Sequence, residues 1–133
     1  MLSEAILCIA LNVWNEARGE SYEGQLAVAE VTHRRIEDDR WPSNACDVVY
    51  QPWQFEWTAK YGSLSDTPVP SFSLPSWGRA VKVALQTSNA SYEPITSCAD
   101  HFYNYNVLIP AWDTDAATVD AVIGAHKFLC IDW

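Results

Sequence analysis

Asn12-Val13-Trp14-Asn15-Glu16-Ala17-Arg18-Gly19-Glu20 ends an apolar helix and carries a carboxylate where packing predicts a core residue. Ile6, Ile9 and Val13 stand at i, i+3 and i+7, one face of an α-helix, and Glu16 takes the next place on that stripe. An acid there must be ion-paired, solvated by a cleft, or neutralised by a raised pKa. The last two are what a general acid needs. A structural glutamate, salt-bridged to Arg18 or Arg34, is the alternative, and spacing alone leaves both open.

Working outward, Ser3 is the expected N-cap of this first helix, with Glu4 in its first turn. The helix runs to about Arg18, and Gly19 is expected to take the left-handed conformation at its end. Ser21 starts a second helix with Tyr22, Leu26, Ala29, His33 and Ile36 on one face, ending around Asp38. The two form a hairpin. Val48 to Tyr50 reads as either a short helical turn or a short strand, after which Pro52 forces an extended path. Gln54, Glu56 and Thr58 then alternate with Phe55 and Trp57. Residues 61 to 76 read as a long surface loop. A third helix is expected over Ser76 to Ser88, with Ala80, Val83 and Ala84 inward. His101 to Tyr105 is rich in strand formers, and Thr118 to Ile123 with Ala125 to Ile131 reads as a hairpin turning near Gly124. The expected architecture is α+β: a helical lobe, a small antiparallel sheet and a cleft between them, in one domain over residues 1–133.

Composition narrows the chemistry. The 133 residues carry a formal net charge of −9 and no Lys/Arg cluster, which argues against nucleic acid. The seven tryptophans suit either core packing or stacking on the C–H faces of sugar rings. Cys8, Cys46, Cys98 and Cys130 show no CxxC spacing. Cys8 and Cys130 look like small core residues, a Cys46–Cys98 bridge has no support, and reduced thiols are expected. His33, His101 and His126 are scattered with no HExxH, so neither metal nor cofactor is expected. The first twenty residues lack a basic n-region and are not read as a secretion signal, Met1 is read as a natural start, and no apolar run is long enough to insert in a membrane.

Four stretches, in order, carry a resemblance. They are Asn15-Glu16-Ala17-Arg18-Gly19-Glu20; Glu23-Gly24-Gln25-Leu26-Ala27-Val28-Ala29-Glu30-Val31; Asp47-Val48-Val49-Tyr50-Gln51 with Gln54-Phe55-Glu56-Trp57-Thr58; and Ile123-Gly124-Ala125-His126-Lys127-Phe128. Together they resemble the SleB/CwlJ-type cell-wall hydrolases, the family of the spore-cortex-lytic enzyme catalytic domain. Three positions depart from the family pattern: Arg34-Arg35 where Asn-Arg is usual, Glu56 where serine is expected, and Ala125 before His126 where asparagine is common. The resemblance implies a lysozyme- or lytic-transglycosylase-like fold and peptidoglycan as partner. It also implies cleavage of the β-1,4 bond between N-acetylmuramic acid and N-acetylglucosamine, with Glu16 as the catalytic acid.

Lytic transglycosylases need no nucleophilic carboxylate, since the muramic acid C6 hydroxyl attacks its own anomeric carbon. Glu20, Glu30 and Glu56 are the acids available for a second role, with capping or salt bridging as the structural reading of Glu20. Substrate contacts are expected from Asn12, Gln54, Trp57 and Thr58, and from Tyr103, Asn104 and His126 on the sheet. A hydrolysing muramidase, a metal-dependent N-acetylmuramoyl-L-alanine amidase and a non-catalytic glycan-binding module are the alternatives. A compact, leaderless hydrolase of this kind resembles a phage endolysin, a monomer held in the host cytoplasm until its release to the wall at lysis.

Overall fold

Two serines set the helical hairpin. In the computed structural model, which describes residues 2–132, the Ser3 hydroxyl accepts from the Ile6 N–H and the Ser21 hydroxyl from the Gly24 N–H. These caps open α1 (Glu4–Ala17) and α2 (Tyr22–Ile36). Gly19 does not take the left-handed conformation expected of it. Arg18 closes α1 in right-handed geometry, and the Glu20 N–H donates to the Ala17 carbonyl at 2.9 Å, a turn that leads straight into Ser21. Val48 and Val49 resolve as helix in α3 (Ala45–Val49), capped by Asn44. The alternation expected after Pro52 is absent, because Thr58 folds back on Phe55. Its N–H and its hydroxyl both donate to the Phe55 carbonyl, closing a 3-10 turn over Glu56–Ala59. α4 (Pro75–Thr87) begins with proline in its first turn, where no backbone donor is missed.

α1 is the centre of the lobe. Ile9, Leu11 and Val13 are buried in one cluster with Leu26, Ala27 and Val31 of α2 and Trp77, Val83 and Ala84 of α4. Burying such side chains contributes about 1.5–3 kcal/mol each. Phe128 joins the same cluster from the sheet, so lobe and sheet share one core.

Strands β1 (His101–Asn104), β2 (Ala117–Ile123) and β3 (His126–Ile131) form an antiparallel sheet in the order β1-β3-β2. Gly124 turns the β2–β3 hairpin at φ 56°, the left-handed conformation that favours glycine. The register slips between Val119 and Ala121, leaving Asp120 as a bulge. Its carboxylate accepts from the backbone N–H groups of Ser97, Cys98 and Ala99, pinning the segment that leads into β1.

All four cysteines are oxidised, contrary to the reduced thiols expected. Cys8 bonds Cys46 and Cys98 bonds Cys130, with Cα separations of 5.2 and 5.5 Å. Cys8 is indeed buried, but in α1 against α3, where Cys46 meets it. Spacing cannot choose among the three pairings open to four cysteines. No helix among the described residues is long and apolar enough to cross a membrane. Met1 and Trp133, read above as a natural start and as one of the packing or stacking tryptophans, lie outside the described residues.

Candidate active site

Glu16 occupies the last full turn of α1, and its side chain opens into a cavity of about 390 Å³ between the lobe and the sheet. The lobe contributes Arg35 from the end of α2, with Arg40 and Trp41 from the turn after it. The loop after α3 contributes Gln51, Trp53, Gln54 and Phe55. Across the opening stand His101 and Phe102 of β1 and Trp112 of the β1–β2 connection. Among the described residues, Glu16 is the one carboxylate lining this cavity.

Neither arginine expected to neutralise Glu16 does so. Arg18 donates to the Trp14 carbonyl at 3.1 Å, its guanidinium 4.1 Å from the Trp14 ring centroid. Arg34 is held by Thr96, the Ala99 carbonyl and Glu30. Glu16 is thus left without an ion pair among the described residues. Burial raises its pKa from 4.5 to about 7, and the negative charge of Glu56 adds to the rise. The C-terminal end of α1, with no basic residue in its last turn, acts in the same direction.

The cavity's cations are balanced. Arg35 is buried, and its Nε donates to the Asp100 carbonyl at 2.8 Å. Burial lowers its pKa to about 10, with Asp100 opposing, so it stays charged at neutral pH. Arg40 is held by Asp38 and Asp100. Burial of Asp100 is outweighed by hydrogen bonds from His101, the Ile131 N–H and Arg40, which hold its carboxyl below the ordinary range. The network fixes His101 between Trp41 and Trp112, whose ring centroids lie 5.6 and 4.8 Å away. An aromatic wall of this kind suits the apolar faces of a sugar.

Of the seven substrate-contact residues expected from sequence, only Gln54 lines the cavity with Glu16, its Oε1 accepting from Arg35 at 3.2 Å. Asn12 is 1% exposed, and its Oδ1 accepts from the Trp57 indole at 2.9 Å, so these two brace α1 against the 3-10 turn. Thr58 is buried and closes that turn, bordering a neighbouring cavity. Tyr103 donates to Asp113, and Asn104 accepts the Asn106 N–H in a turn. His126 is buried against Phe102 and Phe128, with burial lowering its pKa against the pull of Glu20. Each of these six side chains has a hydrogen bond or ring contact within the fold that a one-dimensional pattern does not display.

The other acids divide likewise. Glu20 accepts the Ala125 N–H at 2.8 Å, tying the helix hairpin to the β2–β3 turn rather than capping a helix. Glu30 is buried and accepts from Tyr92, from the Ile95 and Thr96 N–H groups and from the Thr96 hydroxyl. Glu56 alone remains exposed. The residues missed were Arg35, Arg40, Trp41, Gln51, Trp53, Phe55, His101, Phe102 and Trp112. Their signals were the Arg34-Arg35 departure, the surplus of tryptophan and an unassigned histidine.

Comparison with known proteins bears on the family and the fold. The spore cortex-lytic enzyme of Halalkalibacterium halodurans is 31% identical over 123 residues, covering 92% of this chain and 34% of that protein. The Bacillus subtilis spore cortex-lytic enzyme is 40% identical over 50 residues, 38% of this chain and 16% of that protein. The chain thus spans about a third or less of the length of these curated relatives. Among solved structures, the catalytic domain of the germination-specific lytic transglycosylase SleB from Bacillus anthracis superposes with a TM-score of 0.76 at 26% identity, covering 96% of this chain and 95% of that one. The catalytic domain of the Bacillus cereus SleB protein gives 0.74 at 26% identity, with 96% and 91% covered. A family model described as Cell Wall Hydrolase matches residues 19–129, beginning three positions after Glu16 and taking in every other cavity residue named above. With that match over most of its length, the chain belongs to the cell wall hydrolase family.

Proposed function

We propose that this chain cleaves peptidoglycan glycan strands at the N-acetylmuramic acid–β-1,4–N-acetylglucosamine bond as a lytic transglycosylase, with Glu16 as its acid and base. The observation that carries the reading is a half-buried carboxylate with a pKa of about 7 that, among the described residues, has no ion pair and is the one acid lining an aromatic-walled cleft. At neutral pH about half of such groups hold a proton ready to donate. The proton passes to the glycosidic oxygen as its bond to C1 breaks. The resulting carboxylate then takes the proton of the muramic acid C6 hydroxyl as that oxygen bonds to C1, closing a 1,6-anhydro ring. Attack within one held sugar gains from effective molarity, so no second carboxylate is required. The likeness to the catalytic domain of the lytic transglycosylase SleB supports this chemistry.

A hydrolysing muramidase is the second reading, and one observation favours it: Glu56 lies close enough for its charge to act on Glu16 and could activate a water. Digestion of purified sacculi followed by mass spectrometry separates the two. Fragments ending in 1,6-anhydromuramic acid are expected, and exclusively reducing ends would overturn the lytic mechanism. Glu16→Gln is expected to lower the rate at least about 100-fold, the scale of a lost general acid. Full activity of that variant would remove the proposal. The two disulfides support action outside a reducing cytoplasm, as endolysin-type release to the wall would require.

A further inference from the structure

Trp53 has three properties that packing does not explain. Its side chain is 99% exposed, so the indole contributes nothing to the core. Its backbone sits at φ 69°, the one positive value among the described non-glycine residues. The Gln54 N–H donates to the Gln51 carbonyl across a turn with Pro52 at its second position and Trp53 at its third. That third position, with positive φ, is ordinarily glycine's in a turn of this kind. The exposed indole adds nothing to folding and the strained backbone opposes it, and strain of this sort collects where a ligand is held.

The third property is position. Trp53, with Gln54 and Phe55, is shared between the Glu16 cavity and a second cavity of about 690 Å³ bordered by Tyr50, Pro52, Glu56 and Thr58. Trp53 therefore borders both cavities, on the ground a chain reaching from one to the other would meet. We propose that Trp53 is a sugar-stacking platform that grips the glycan strand on one side of the scissile bond and carries it into the second cavity. The proposal rests on reading the Glu16 cleft as a glycan-cleaving site. The turn fixes the backbone that presents the ring, while the exposed indole gives up rotamer freedom only when a sugar stacks on it. A glycan long enough to fill both cavities gains this contact; a disaccharide confined to the Glu16 cavity does not.

The test measures binding without turnover. Glu16→Gln protein is titrated calorimetrically with a disaccharide and an octasaccharide of alternating N-acetylglucosamine and N-acetylmuramic acid prepared from sacculi. Adding Trp53→Ala is expected to weaken octasaccharide binding about five- to tenfold and disaccharide binding less than twofold, with Trp53→Phe restoring most of the loss. Trp53→Gly is expected to weaken the octasaccharide equally while raising the thermal midpoint, because glycine relieves the turn. That split separates a binding role from a structural one. Octasaccharide affinity indifferent to Trp53→Ala, or a Trp53→Gly protein that melts lower, would overturn the proposal while leaving an inactive Glu16→Gln variant as support for the catalytic reading. A Glu16→Gln chain that still digests sacculi would overturn both.

Discussion

At the scale of single residues, Glu16 sets function against stability. An ordinary carboxyl releases its proton near pH 4.5 and this one near 7, so between those values the native state holds a proton the unfolded chain has lost. Stability contributed by the protonated form is complete below about pH 4.5, declines as pH rises toward 7, and is gone above it. The decline amounts to about 1–3 kcal/mol. Gln has the shape of the protonated acid without the titration, so Glu16→Gln should melt higher than the parent at pH 8 and converge with it below pH 4.5. Equal midpoints at pH 8 in calorimetry would show that the carboxylate carries no burial penalty. Glu56 enters the same balance. Cleavage needs protonated Glu16, so activity should fall as pH rises beyond about 7. Glu56→Gln removes a like charge, lowers the Glu16 pKa and moves that falling limb to lower pH. Burial is the larger cause, so the displacement should be about one pH unit or less, read from a pH–rate profile. A limb that stays in place would exclude Glu56 as a neighbour that matters.

At the scale of elements, the readable parts were those fixed by local chemistry. Ser3 and Ser21 announced the helix starts, Gly124 the hairpin, and apolar spacing the inward faces of α1 and α4. Glu16 was visible for the same reason, as an acid breaking a stripe. Illegible were the positions decided by bonds distant in sequence. Asn12 looked like a ligand contact because its bond to Trp57, 45 residues away, leaves no local trace. Arg35 looked like a departure from a pattern, yet its bond to the Asp100 carbonyl, 65 residues on, seats a buried cation in the cleft wall. Glu30 is the clearest case of an acid taken over by tertiary structure. It joins α2 to residues 92–96 through four accepted hydrogen bonds while standing 3% exposed. Glu30→Gln replaces one acceptor oxygen with a donor that faces other donors. The expected loss is about 3 kcal/mol in denaturant unfolding. Activity per folded molecule should be unchanged, because Glu30 does not line the cleft. A variant that stays stable but loses activity would instead give Glu30 a role in the reaction.

At the scale of the whole molecule, the α+β plan with its intervening cleft followed from the order of periodic segments, whereas the covalent framework did not. Cys8 is buried and reads as a small apolar residue, whereas Cys130, expected in the core, is half-buried like Cys46, and Cys98 is exposed, so no shared pattern marks the partners. Each bridge braces one half of the cleft from within. Cys8–Cys46 joins α1, which carries Glu16, to α3, from which the Gln51–Phe55 wall departs. Cys98–Cys130 joins the approach to β1 to β3, behind His101 and Phe102. Each closes a loop of more than thirty residues, worth about 4 kcal/mol in the chain-entropy account, against a total that for most domains is about 5–15 kcal/mol. Reduction should therefore lower the unfolding midpoint sharply, with each single-bridge serine variant falling between the reduced and oxidised proteins. Because the first bridge sits on the Glu16 side, Cys46→Ser should lose activity at a lower temperature than Cys130→Ser does, measured as residual sacculus clearing after heating. If reduced and oxidised proteins unfold together in guanidinium, the bridges only decorate a lobe and sheet already held by the Ile9–Trp77–Phe128 core.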